Sequence, residues 1–431
     1  MKINALLDVN LVAHETADEV AVLFEMEAPP LHTTTTRAQA TLQVVLDRSG
    51  SMSGAPLAGA KQALVALVKR LNPTDNFGLV TFDTEAHVVV AAGPLEDKDS
   101  VISRINQIQP GGMTDLSAGY LRGLREARRV AGETGATVLI VSDGHVNTGI
   151  AAPDDFASIT AKAYTERIVT STLGYGQGYD ETLLAAIARA GSGNHVFAEN
   201  PDEAGAAIAG EVDGLLNKTV QGASLVIDFE PHVEFLKIYN DLPATQIADG
   251  HVMIELGDLY AEEARKVLLA FRVPAMAALG LAKIASLELS YVELPALIEQ
   301  TAVLPLMVNI VPGDEAAGRI PDPVVHSEKL FQTAQESKRQ ASEAFERHDF
   351  EAGQRLMSEA KARLLASLDA APETLKPSIR SEIDDVSLLE ERSTRMGPTG
   401  SSTLSKISRE SYHLQSRKRG RRDPRNSANE A

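Results

Sequence analysis

Residues 41–52, TLQVVLDRSGSM, are the segment of the chain that is most informative about its fold. Its apolar run Leu42–Leu46 has the length of a buried strand, and the run stops at the carboxylate of Asp47. Two hydroxyl side chains follow at alternate positions, Ser49 and Ser51. A D-x-S-x-S loop at the carboxyl end of a strand gathers three oxygen ligands around one point, and hard cations such as Mg²⁺ prefer oxygen ligands. The stretch therefore predicts one side of a metal site.

Two segments downstream offer ligands of the same kind. Residues 111–115 (GGMTD) combine two glycines, which permit a tight loop, with a threonine hydroxyl. Residues 137–144 (TVLIVSDG) are typical of a second buried strand that delivers an aspartate at its end. Because ligands of open α/β sheets bind beyond the carboxyl ends of the strands, we expect the three segments to converge. The expected ligand set is two carboxylates and three hydroxyls, namely Asp47, Ser49, Ser51, Thr114 and Asp143.

Each of these segments also has a purely structural interpretation. Residues 47–51 could form a turn and the N-terminal cap of a helix, and Thr114 could cap the helix that begins after it. The pair Asp143-Gly144 is, by itself, more typical of a turn than of a ligand. The occurrence of all three segments at the expected strand ends and loops favours the metal site.

The pattern of apolar residues divides the chain into an α/β part and other parts. From about residue 38 to residue 216, short apolar runs alternate with amphipathic stretches of helical length, which indicates a mostly parallel sheet covered on both faces. Residues 220–311 have strand patterns without helical periodicity and predict an antiparallel β-sandwich domain. Residues 1–30 predict a β-hairpin that joins this sandwich, which would make the α/β domain an insertion.

The remaining part of the chain is predicted to be helical and then disordered. Residues 322–393 contain amphipathic stretches typical of a helical C-terminal segment. Residues 396–431 are rich in Gly, Ser and Arg and include the basic run at 417–422, so we expect a disordered basic tail.

Composition excludes several classes of function. The 431 residues include no cysteine, which rules out disulfides and cysteine ligands, and no apolar run is long enough for a membrane span. The N-terminus has no secretory signal pattern, so a cytoplasmic location is expected. A net charge of -18 and an aromatic content of 4% make nucleic acid an unlikely partner, except through the basic tail.

With these segments, the chain resembles a von Willebrand factor A (VWA) domain with an intact metal-ion-dependent adhesion site. The resemblance covers about residues 38–216 and implies a doubly wound, Rossmann-like sheet with the ion on its top face. The five ligands named above correspond to the metal positions of the family, and the usual activity of the family is metal-dependent protein binding. The matching stretches are residues 47–64, 75–86, 111–124, 137–149 and 173–197.

A second resemblance concerns the predicted β-sandwich. Residues 254–274 (IELGDLYAEEARKVLLAFRVP) are similar to the β-rich domain that follows the VWA domain in plant RING-type ubiquitin ligases and in bacterial VWA proteins. A RING needs cysteine ligands, which this chain lacks, so ligase activity is not implied.

The predicted function is non-enzymatic protein binding, in which Mg²⁺, or another divalent cation such as Mn²⁺ or Ca²⁺, accepts a Glu or Asp side chain from a partner. One alternative is an adaptor subunit for an AAA+ ATPase, as in magnesium-chelatase-like systems. Another is a metal-dependent hydrolase, for which no general base is evident, although His145 lies close to Asp143 in sequence. The glycine-rich residues 174–178 lack the lysine of a phosphate-binding loop and are better explained as a turn.

Overall fold

The α/β domain is built from residues that the sequence marks as alternating strands and helices. The computed structural model describes residues 1–31, 37–143, 146–176 and 178–417. Within this domain the strands are β4 (Thr41–Asp47), β5 (Asn76–Phe82), β6 (Ala86–Pro94), β7 (Ala136–Ser142), β8 (Ile168–Tyr175) and β9 (Ser192–Ala198). The helices are α1 (Ala55–Arg70), α2 (Lys98–Asn106), α3 (Leu116–Arg128), α4 (Pro153–Thr165), α5 (Glu181–Ala190) and α6 (Pro201–Leu216). Strands β1 to β3 precede this domain and are described below.

The six strands form one sheet in the order β6-β5-β4-β7-β8-β9. All neighbours are parallel except β6, which pairs antiparallel with β5 at one edge. The chain continues from β4 to β5 on one side and later to β7 on the other, so the order switches at β4. In open α/β sheets this switch is where ligands bind, and Asp47 is the last residue of β4. The predicted α/β fold class is therefore confirmed.

Helices cover both faces of this sheet. Leu42, Val44 and Leu46 of β4 pack with residues of α1, α2 and α6, whereas Val45 points to the opposite face and packs with α3, α4 and α5. Because alternate residues of a strand point to opposite faces, a continuous apolar run fills both layers of the core. This packing fixes β4 firmly and with it the position of the loop that follows.

Strands that precede and strands that follow the α/β domain in sequence together form a β-sandwich. Its strands are β1 (Lys2–Leu7), β2 (Leu11–Ala13), β3 (Asp18–Glu27), β10 (Lys218–Phe229), β11 (Glu234–Ile238), β12 (Ala244–Ala248), β13 (His251–Tyr260), β14 (Ala264–Val273), β15 (Gly280–Glu293) and β16 (Ile298–Val311). One sheet has the order β1-β3-β14-β11, and the other has the order β12-β13-β10-β15-β16-β2. The two sheets share one hydrophobic core, in which Phe24 and Phe271 of the first sheet pack with Leu225 and Leu287 of the second.

The N-terminal strands are arranged differently from a simple hairpin. Strand β3 pairs antiparallel with both β1 and β14, whereas β2 pairs parallel with β16 in the opposite sheet. The chain crosses between the sheets because Val9 and Val12 bury their side chains in the shared core. The α/β domain lies between β3 and β10 in sequence, so the sandwich is assembled from both sides of it.

Within the described residues five α-helices follow the sandwich, and the last of them corrects a prediction. They are α7 (Gly313–Ala317), α8 (Pro323–Glu346), α9 (Phe350–Ala370), α10 (Lys376–Met396) and α11 (Ser401–Arg417). The prediction of disorder from residue 396 is wrong for residues 401–417, while residues 418–431 lie outside the described part. Several serines of α11 point inward: Ser401, Ser405 and Ser408 are 1% exposed each. Small side chains at this spacing let the helix pack closely, although the composition is typical of disorder. None of the described helices has the length and apolar character needed to cross a bilayer.

Candidate metal site

Asp47 lies at the end of β4 with its carboxylate fully buried. One carboxylate oxygen accepts the backbone N–H of Ser49 at 2.8 Å. The other accepts the hydroxyl of Ser142, the last residue of β7, at 2.6 Å. The two neighbouring strand ends are thus joined through this carboxylate.

A second group of hydrogen bonds connects Asp143 with residues 47–51, the serine loop. The hydroxyl of Ser51 donates to Asp143 Oδ1 at 2.8 Å, and the hydroxyls of Ser49 and Ser51 lie 3.1 Å apart. Four of the five predicted ligands therefore form one connected cluster, although residues 51 and 143 are 92 positions apart in sequence.

Both carboxylates of this cluster are held in conditions that disfavour their charge. Burial raises the pKa of Asp47, and the hydrogen bonds from Ser142 and Ser49 only partly oppose this. Burial also raises the pKa of Asp143 to about 6; the hydrogen bond from Ser51 lowers it, and the nearby charge of Asp47 raises it further. Within residues 1–31, 37–143, 146–176 and 178–417, no ion pair involves either carboxylate. One buried and one half-buried carboxylate that lie close together, with no ion pair among the described residues, are suitable ligands for a divalent cation.

Thr114 lies on a loop that packs directly against the serine loop. Gly111 N donates to the carbonyl of Arg48 at 2.6 Å, and Gly50 N donates to the carbonyl of Gly112 at 3.0 Å. Thr114 itself is 3% exposed, and its backbone N–H donates to Asn147 Oδ1 at 2.8 Å. Among the described contacts its hydroxyl forms no hydrogen bond with the other four residues. Thr114 is thus connected to the cluster only indirectly, through the backbone of Gly111 and Gly112 in the same loop.

Sequence reasoning missed two residues that support these loops. Asn147 holds Thr114 as described, and Asp83, the residue after β5, forms an ion pair with Arg48 at 2.9 Å. Burial disfavours the charge of Asp83, but the N–H groups of Glu85 and Gly112 and the charge of Arg48 outweigh it, so the pKa of Asp83 is lowered. The available signal was positional, because Asp83 directly follows a buried strand, much as Asp47 ends one.

Gly174 lies near the end of β8, and Gly176 follows that strand directly. A Cβ atom on Gly174 would lie 2.3 Å from the Tyr179 ring, so close packing explains this glycine. A Cβ atom on Gly178 would lie 3.2 Å from the carbonyl oxygen of Asp143, which places this loop beside the candidate site. His145, the candidate base, lies outside the described residues.

The fold and the site together define a class of protein domain. Residues 42–207 match the family model of the von Willebrand factor type A domain. The chain therefore contains a VWA domain, as the sequence resemblance predicted. In the described residues no three His, Asp or Glu side chains gather into a metal cluster, so a metal at this site depends on hydroxyl ligands as well as the two carboxylates.

Comparisons with known proteins extend the fold similarity beyond this domain. The structure of a von Willebrand factor type A protein from Catenulispora acidiphila aligns with a TM-score of 0.70 at 14% identity, over 89% of this chain and 88% of that one. The ArnB paralog VWA2 from Sulfolobus acidocaldarius aligns with a TM-score of 0.63 at 14% identity, over 96% of this chain and 99% of that one. At these identities the similarity concerns the fold.

A curated relative is similar at the level of sequence. The uncharacterized protein sll0103 of Synechocystis sp. is 26% identical over 246 residues, which cover 54% of this chain and 57% of that protein. The chain thus spans little more than half of the length of this relative.

Proposed function

We propose that this protein binds a partner protein through a divalent cation, with Mg²⁺ as the resident ion. Asp47, Ser49, Ser51, Thr114 and Asp143 would hold the ion. The observation that carries the proposal is the cluster that joins the buried carboxylate of Asp47 to the half-buried carboxylate of Asp143 through Ser49 and Ser51, with no ion pair to either carboxylate among the described residues.

The charge of this ligand set supports a site that stays open to a further ligand. Two carboxylates balance a divalent ion, whereas hydroxyls add oxygen atoms without adding negative charge. A bound ion would supply an electrophilic centre for an acidic side chain from outside. The protein's own residues would bury the two carboxylates and hold the hydroxyls beside them. An Asp or Glu of the partner is therefore the proposed sixth ligand.

The surface beside the cluster is accessible to such a partner. Ser51 is exposed, and the neighbouring loop at 111–113 is exposed along its length. Met113 exposes 51% of its surface at this position. A flexible, apolar side chain beside a polar site suits contact with a protein surface, so these residues are the proposed rim of the binding site.

The other functions considered from sequence have less support. The helical segment, proposed as a contact for an AAA+ ATPase, makes extensive contacts within the chain, including hydrogen bonds from Lys406 to the VWA domain and from Asn240 to α11. A hydrolase needs a general base, and no described residue is assigned that role. A non-enzymatic role is part of the proposal, and the cytoplasmic location stays a prediction.

The proposal can be tested by comparing Asp47→Ala/Ser49→Ala with a matched pair, Asp97→Ala/Ser100→Ala. Asp97 accepts a hydrogen bond from Ser100 N at the start of α2, in the same domain but outside the cluster. Proteins retained by the immobilised wild type in Mg²⁺ and released by EDTA are identified, and their exposed Asp and Glu residues are substituted. We expect the control pair to retain the partner and the Asp47/Ser49 variant to lose it. Equal retention of the partner by both variants in Mg²⁺, or retention by the wild type that persists in EDTA, would contradict the proposal.

A further inference from the structure

Asp83 and Arg48 form an ion pair between the turn that follows β5 and the serine loop of the candidate metal site. Arg48 lies between Asp47 and Ser49 in sequence, and its guanidinium lies 2.9 Å from Asp83 Oδ2. The backbone N–H of Arg48 donates to the carbonyl of Phe82 at 2.9 Å, so the same residue is also fixed to the end of β5. The side chains of Arg48 and Asp83 are 24% and 10% exposed, so this ion pair is largely shielded from water.

Asp83 also binds the loop that carries Thr114. Its Oδ2 atom accepts the N–H of Gly112 at 3.2 Å, and its carbonyl accepts the N–H of Asp115 at 2.8 Å. The next residue, Thr84, accepts the N–H of Met113 through its hydroxyl at 3.1 Å. Three backbone N–H groups around Thr114 are thus bound by the turn that follows β5.

The glycine at position 111 is explained by the same contact. A Cβ atom there would lie 1.8 Å from Asp83 Oδ2, closer than any side chain permits. The loop therefore approaches the carboxylate without a side chain between them, while Gly111 N binds the carbonyl of Arg48. The predicted double glycine serves this approach between two loops.

We propose that Asp83, held by Arg48, is a positioning residue that sets the Gly111–Thr114 loop against the serine loop. The inference rests on the proposed function, since it concerns the same metal site, but it assigns a role to a residue outside the five ligands. Residues that orient metal ligands from behind affect metal affinity by about 10–100-fold. Loss of the Asp83 contact would leave the four clustered ligands in place and release the loop that carries Thr114.

Three variants distinguish a positioning role of Asp83 from a general effect of charge and from an effect on folding. Asp83→Asn removes the carboxylate, Gly111→Ala keeps every charge but drives the loop away from Asp83, and Glu85→Gln removes an exposed charge from the same turn. Mg²⁺ affinity of the full chain is measured by titration calorimetry, and unfolding is measured separately in EDTA. A purely structural role would lower stability in EDTA and leave the Mg²⁺ affinity unchanged.

We expect Asp83→Asn and Gly111→Ala to bind Mg²⁺ about 10–100-fold more weakly than the wild type. Glu85→Gln should stay within about threefold, because the charge of an exposed group is screened. Wild-type affinity in Gly111→Ala, or equal losses in Asp83→Asn and Glu85→Gln, would overturn the inference. If Asp83→Asn does not fold, Gly111→Ala decides alone. Absence of Mg²⁺ binding by the wild type would instead contradict the proposed function.

Discussion

The ammonium group of Lys406 lies 3.7 Å from the centre of the Tyr179 ring and donates a 2.9 Å hydrogen bond to the carbonyl of the same residue. Lys406 belongs to α11, whereas Tyr179 belongs to the VWA domain, beside the loop that contacts Asp143. Arg409, one turn further along α11, lies 3.0 Å from Glu181. The last described helix is thus fixed to the domain that carries the candidate metal site.

Substitution of Lys406 by Met is expected to destabilise the protein by about 1–3 kcal/mol, because it removes a shielded cation–π contact and leaves the Tyr179 carbonyl without its donor. Lys237 provides a matched control, since it lies 4.1 Å from the Tyr239 ring but is exposed. Lys237→Met should cost less than about 1 kcal/mol. Urea unfolding measures both values, and equal effects of the two substitutions would show that α11 is not held in this way.

Because Glu181 lies at the contact between α11 and the VWA domain, we expect the stability of the protein to depend on pH. Burial raises its pKa to about 7, although the charges of Arg409 and Lys406 lower it. The folded state therefore holds the proton more tightly than the unfolded state, so the contribution of Glu181 to stability is full below about pH 4.5 and is lost as the pH rises through about 7.

The test compares the wild type with Glu181→Gln, which resembles the protonated form at every pH. We expect the stability of the wild type to fall relative to the variant by about 3 kcal/mol between pH 4.5 and pH 8. Denaturant unfolding at a series of pH values measures this difference. A wild type that gains stability over the variant as the pH rises would show that the ion pair with Arg409 outweighs burial.

The carboxylate of Asp143 is expected to lower the stability of the metal-free protein and to be needed for metal binding. Above pH 6 the metal-free wild type must hold two charged carboxylates close together, because the raised pKa of Asp143 reflects its partial burial and the charge of Asp47. Asp143→Asn is therefore expected to be more stable than the wild type in EDTA at pH 8, by roughly 1 kcal/mol after allowance for solvent screening.

Mg²⁺ should reverse this order. At a concentration 100 times the dissociation constant, the ion would stabilise the wild type by about 2.7 kcal/mol, and Asp143→Asn would gain much less. Unfolding in EDTA and in Mg²⁺ measures both effects, with Asp99→Asn, a change on the exposed surface of α2, as the control. Equal stabilisation of wild type and Asp143→Asn by Mg²⁺ would show that Asp143 is not a ligand.

Met113 tests whether the loop beside the site contacts the partner. Met113→Asp places a negative charge where an acidic partner side chain is expected, so partner binding should weaken by about tenfold or more through like-charge repulsion and lost apolar contact. Leu121→Asp, on the exposed surface of α3 in the same domain, is the matched control. Competition binding with the identified partner measures the change, and unaltered binding by Met113→Asp would place the contact surface elsewhere.

Much of the VWA domain could be predicted because its signals are local. Leu42–Leu46 and the run before Asp143 are short, continuous apolar stretches, and parallel strands place their carboxyl ends on one edge of the sheet. The proximity of Asp47 and Asp143 follows from this geometry. The short strand β12 was not predicted, since it is exposed along its length and lacks a clear apolar pattern, whereas the edge strand β6 was missed although residues 88–92 form an apolar run.

The features that escaped prediction depend on contacts between distant parts of the chain. The serine-rich composition of α11 is typical of a disordered segment. Only the folded structure shows the surfaces against which its serines pack. Strand β2 joins the second sheet because of a partner strand about 300 residues away. Asp83 offers no motif, and its importance comes from Arg48 and Gly112, which only the folded structure brings beside it.

The position of a bound ion would show whether these five residues form a metal site. Crystals grown with Mn²⁺ in place of Mg²⁺ allow the ion to be located by anomalous diffraction. We expect one strong peak within coordination distance of the hydroxyls of Ser49 and Ser51, beside Asp47 and Asp143, and no such peak in crystals of Asp47→Ala/Ser49→Ala. A wild-type crystal soaked to saturation without a peak at this cluster would contradict the account.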